Sequence, residues 1–112
     1  MSVEHPEEEL KALIMANTNR GCVIADAHLT GGMFMVRGVC PYAGGSQAVI
    51  RLREVVGITL GQVGEWSRVT VTHSNGVEDF LWESKSLRDV QRMADCIAAM
   101  VQTPAKAQLS QL

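Results

Sequence analysis

The sequence predicts an α+β domain with a short N-terminal helix, an antiparallel meander of about five strands, and a longer C-terminal helix that covers the sheet. Three observations carry this. Two pairs of alternating apolar stretches flank Gly31-Gly32 and Asn75-Gly76, dipeptides that favour tight hairpin turns. Near the C-terminus, Leu87, Val90, Met93, Ala94, Ile97, Met100 and Val101 recur at helical spacing. The strand connections are too short for the crossovers that parallel pairing needs.

The N-terminal helix starts at Pro6, with Glu7, Glu8 and Glu9 at its positive end and Leu10, Leu13 and Ile14 as one apolar stripe. The polar cluster after Ala16 stops it. The first hairpin runs from Cys22 to Leu29 and from Met33 to Cys40. A two-residue turn at Gly31-Gly32 pairs Leu29 with Phe34, Ala27 with Val36, Ala25 with Gly38 and Val23 with Cys40 on one face. Asp26–Arg37, His28–Met35 and Ile24–Val39 then share the other face.

A loop over Pro41–Ser46 leads into one long alternating strand. Ala48, Ile50, Leu52, Val56, Ile58 and Leu60 share a face broken only by Glu54, and Gly57 marks a bend. Gly61–Glu65 is expected to be a loop. The hairpin at Asn75-Gly76 pairs Val71 with Phe80 and Val69 with Trp82 inside, and Arg68 with Glu83 and Thr70 with Leu81 outside. Ser84 or Ser86 caps the final helix, and Thr103-Pro104 is expected to end it. Residues 1–102 thus form one domain and 103–112 a frayed polar tail.

A bent meander closed by a C-terminal helix is similar to the pleckstrin-homology-like architecture in element order. A flatter sheet with both helices on one face fits the same pattern. No family motif accompanies the likeness, so it implies no functional residue.

The chain has 112 residues and a formal net charge of -2. Five arginines between residues 20 and 74 face three acids, which suits one acidic partner better than nucleic acid, whose binding needs several phosphates neutralised. Cys22, Cys40 and Cys96 are odd in number, widely spaced and without a CxxC pair. That argues against a disulfide framework and a zinc site, and each is expected to be a small buried hydrophobe. No phosphate-binding glycine loop, signal peptide or membrane span is visible, so the expectation is a cytoplasmic chain with no metal, cofactor or membrane partner.

Two places are candidates for function. The first is the outer face of the first hairpin, where Ile24, Met33, Met35 and Val39 stand beside Arg37 and Arg51 on a surface that water should make polar. It predicts a non-catalytic protein-interaction module, homodimeric through that face, unless Leu10, Leu13 and Ile14 fold back over it. A chaperone or adaptor for one partner protein would show the same face. The second is a small-molecule pocket or enzyme site between the last helix and the sheet, using Cys40, Tyr42, His73 and Glu78. There Glu78 is expected to orient His73 across the second hairpin.

Overall fold

The structure, a computed structural model, describes the backbone of residues 3–17, 21–40 and 44–110, and their side chains except those of 39–40, 44–46 and 102–110. Helix α1 (Pro6–Ala16) precedes three strands, β1 (Val23–Thr30), β2 (Met33–Cys40) and β3 (Gly44–Arg51). A 3₁₀ turn (Leu52–Glu54) leads to β4 (Val55–Val63), β5 (Trp66–His73) and β6 (Phe80–Ser84), and helix α2 (Leu87–Ser110) follows.

The α+β class and the two bracketing helices are as predicted, but a single five-strand meander does not form. The strands make two antiparallel three-stranded sheets, ordered β1-β2-β3 and β4-β5-β6. The expected long strand is divided at Leu52–Glu54, upstream of the bend expected at Gly57. The backbone N–H of Leu52 donates there to the carbonyl of Gly32 at 3.0 Å, so a contact with the first hairpin's turn accompanies the corner. The expected loop at Gly61–Glu65 is instead a further hairpin, with Val63 opposite Trp66 and Gly64 at φ +60°.

The register expected at Gly31-Gly32 holds right up to its turn, whereas the one expected at Asn75-Gly76 holds from Val71–Phe80 outward and not beside the turn. Leu29–Phe34, His28–Met35, Ala27–Val36 and Asp26–Arg37 are paired as predicted. So are Val71–Phe80, Thr70–Leu81, Val69–Trp82 and Arg68–Glu83. Beyond Asp26 the first register slips through a bulge at Ala25, so that Ile24 faces Gly38 and Val23 faces Val39. An extra residue in one strand exchanges the faces of everything before it. Ile24 therefore turns inward and packs against the core, and Val23 turns outward with 68% of its surface exposed. A second bulge at Val56 removes that residue from the inner face.

One core joins both sheets and both helices. Leu10 and Ile14 of α1, Phe34, Val36 and Ile50 of the first sheet, and Val69, Val71, Phe80 and Trp82 of the second meet Val90, Met93, Cys96 and Ile97 of α2. Helix α1 lies on β1 and α2, while α2 packs along β4, β5 and β6. Ser86 caps α2 through its hydroxyl, which accepts from the Asp89 N–H at 3.2 Å. The helix does not stop at Thr103-Pro104 but runs on to Ser110. Pro104 can supply no N–H to the carbonyl of Met100, a local loss that the helix tolerates without ending.

Asn17 ties three elements together just beyond α1. Its side-chain amide donates to Asp89 Oδ2 at 3.0 Å and accepts from the Ser84 hydroxyl, while its carbonyl accepts from the Trp82 indole N–H. The cysteine expectation needs one correction: Cys22 is disulfide-bonded, and Cys96 is the free, buried cysteine among the described residues. An odd cysteine count leaves room for one such bond and does not exclude it.

Candidate interaction surface

The outer face of the first sheet is built by strand alternation. Met33 lies between Thr30 and Arg51, Met35 between His28 and Val49, and Arg37 between Asp26 and Gln47. Met33, Met35 and Val49 form a half-buried apolar strip along its middle. A charged group flanks one end, where Asp26 Oδ2 is 2.8 Å from His28 Nδ1 and 3.6 Å from an Arg37 guanidinium nitrogen. At the other end the Arg51 side chain lies 3.9 Å from Glu54, an ion pair rather than a hydrogen bond.

Leu10 and Ile14 do not fold over this face. Both are fully buried in the core, and Leu13 packs against the same core from its edge. Of the six residues expected on the face, the structure places Met33, Met35, Arg37 and Arg51 there. The bulge removes Ile24, and the side chain of Val39 lies outside the described residues. Val49 belongs to the strip and was missed, because its strand neighbours could be assigned only once β3 was known to pair with β2.

The residues expected to line a pocket are not brought together. Tyr42 and the side chain of Cys40 lie outside the described residues. His73 is buried, 7% exposed, whereas Glu78 is exposed. The second hairpin stops pairing at Phe80, and His73 is held by Asp79 instead, whose Oδ1 accepts the His73 backbone N–H at 3.1 Å. The imidazole Nε2 accepts the Arg51 backbone N–H at 3.0 Å, which commits the ring to linking the sheets. Glu78 and Asp79 do border a cleft of about 440 Å³ between β3 and β6, opposite Gln47, Val49 and Arg51. Its walls are mixed polar and apolar, and His73 is not among its lining residues.

No cluster of His, Cys, Asp and Glu among the described residues could hold a metal ion. No helix among them is long and apolar enough to cross a membrane. Comparison of the chain with protein-family models, curated proteins and solved structures gives no match.

Proposed function

We propose that the chain is a non-catalytic protein-interaction module that works as a homodimer and presents the outer face of its first sheet to a partner protein. The observation that supports this reading is the strip of Met33, Met35 and Val49, with α1 and α2 packed elsewhere and charges at both ends. Apolar centres with charged rims suit protein contacts, and methionine adapts its shape to a partner. A second copy of the chain, as expected from the sequence, and a different partner protein are rival occupants of this one face. The pleckstrin-homology-like arrangement stays part of the proposal, supported by antiparallel sheets followed by a C-terminal helix. A cytoplasmic location is proposed with one condition: thiols are kept reduced there, so Cys22 would be found as a thiol in cytoplasmic material.

A photo-crosslinking amino acid placed at Met35 tests the reading, with Leu87, exposed on α2, as the control position. The expected result is one discrete adduct from position 35 that is absent from position 87 and is not the mass of two chains. An adduct of two chains would return the dimer to this face. Absence of any adduct from position 35 would sink the proposal.

A further inference from the structure

We infer that His73 is an acid-released clasp on the seam between the two sheets: a proton on its ring frees Arg51, and with it the β3 wall of the cleft that faces β6. This goes beyond the module reading and does not depend on what the outer face binds.

Both walls of that cleft are tied to one residue. The Arg51 backbone N–H donates to His73 Nε2, and Asp79 Oδ1 accepts the His73 backbone N–H. Arg51 lines the cleft with Gln47 and Val49 on the β3 side, and Asp79 lines it with Glu78 and Leu81 on the other. β3 and β6 belong to different sheets and share no ladder, so packing and isolated hydrogen bonds hold them at this seam.

An imidazole nitrogen accepts a hydrogen bond only while it carries no proton. The charged ring has an N–H on both nitrogens, so protonation turns Nε2 into a donor facing the Arg51 donor. The ring is buried, and Nδ1 already lacks a hydrogen-bond partner. Where it stands, an imidazolium would therefore have no acceptor for either N–H, a costly state inside a protein.

The surroundings offer the charged ring another place. From β3 comes the Arg51 guanidinium, 3.9 Å from Glu54. Glu54 lies beside His73, since its carbonyl accepts the Ser74 N–H at 2.8 Å and the next residue, Val55, pairs with His73. Its Oε2 is buried and has no hydrogen-bond partner. Before β6 stands Asp79, with Glu78 exposed next to it. The core residues of α2 are apolar apart from Cys96, whose thiol burial keeps protonated. Two states follow: a neutral ring that accepts from Arg51, and a charged ring that turns to a carboxylate of Glu54 or Asp79. The Arg51 bond belongs to the neutral ring, so it is present at higher pH and lost as the ring charges.

NMR of the full chain tests this between about pH 8 and pH 5, the range in which imidazole ordinarily takes up its proton. The His73 ring shifts report protonation, and amide exchange corrected for its intrinsic pH dependence reports the Arg51 N–H. Arg51 protection should fall about tenfold with the same midpoint as the ring, while Val69, in the middle of the second sheet, stays protected. His73→Gln, whose amide oxygen accepts from Arg51 without titrating, should abolish the response, and His28→Gln should leave it. The wild-type titration stands even if His73→Gln fails to fold. A ring that charges with Arg51 still protected, or a response kept in folded His73→Gln, overturns the inference. So does an Arg51 amide already unprotected at pH 8, or a ring that stays neutral until every amide loses protection together.

Discussion

The backbone N–H of Arg51 donates to Nε2 of His73 across 3.0 Å, and this bond crosses the seam between the two sheets. Arg51 ends β3 and His73 ends β5, so the bond fastens two strands that share no ladder. A nitrogen that accepts a hydrogen bond carries no proton, which puts the proton of the neutral ring on Nδ1. That nitrogen is buried without a hydrogen-bond partner. The arrangement is a structural clasp, and it explains why His73 does not meet Glu78.

His73→Phe should keep the ring's bulk while leaving the Arg51 N–H unsatisfied. The expected loss is about 1–3 kcal/mol of stability in urea unfolding. Long-range ¹H–¹⁵N correlation of the wild-type imidazole should show the Nδ1–H tautomer. A proton found on Nε2 would contradict the clasp, whatever the variant's stability.

The clasp also shows what was legible in the sequence. Turn dipeptides and alternation specify a register locally, so the pairs beside Gly31-Gly32 and the run from Val71–Phe80 to Arg68–Glu83 follow from residue types alone, while His73, next to Asn75-Gly76, leaves that ladder for Arg51. The bulges at Ala25 and Val56 do not, because an extra residue in a strand leaves the surrounding apolar pattern almost unchanged. The corner at Leu52–Glu54 carries no glycine or proline, and its tie to Gly32 comes from a residue twenty positions away in the chain. The candidate surface was legible where parity alone decides, at Met33, Met35 and Arg37. It failed at Ile24, on the far side of a bulge. The division into two sheets was not legible, since sheet order depends on pairings that no local pattern encodes.

Gly38→Ala tests the first bulge. A Cβ at Gly38 would stand 2.6 Å from the Val23 carbonyl oxygen and 3.3 Å from Ile24 Cα, both backbone atoms. Backbone cannot swing aside as a flexible side chain can, so the substitution should cost about 1–3 kcal/mol through strain. If β1 instead kept the unbulged register, with Ala25 opposite Gly38, this close approach would be absent. The measurement is the urea midpoint, with amide exchange at Val23 and Ile24 expected to quicken. An unchanged midpoint would argue against the bulge.

Cys96 should be chemically silent in the folded chain. Burial, with the nearby Glu9 carboxylate adding to it, pushes its thiol up to about 12. The thiolate is the reactive form, so at pH 8 the native thiol is both uncharged and enclosed. Modification by a thiol reagent is expected only as the chain unfolds, with a rate that rises steeply through the denaturant transition. Rapid labelling of Cys96 in the absence of denaturant would show that α2 opens locally, away from the core.

Glu9 and Arg92 fasten α1 to α2 through a two-pronged contact, with Arg92 Nε on Glu9 Oε2 and Nη2 on Oε1. The hydrogen bonds from Arg92 hold the Glu9 carboxyl below its ordinary value of 4.5, against the opposing effect of burial. A carboxyl whose folded value is depressed stabilises the fold above its unfolded value, and that contribution disappears as pH falls through the folded value. Glu9→Gln should therefore melt below the wild type at pH 7. The gap should begin to narrow as pH drops past 4.5 and close once the wild-type carboxyl is protonated in the fold. Both side chains are about one-third exposed, at 28% and 33%, so the gap at pH 7 should be modest and should shrink with added salt. A gap that stayed constant from pH 7 into acid would mean that Glu9 acts through packing and not through its charge.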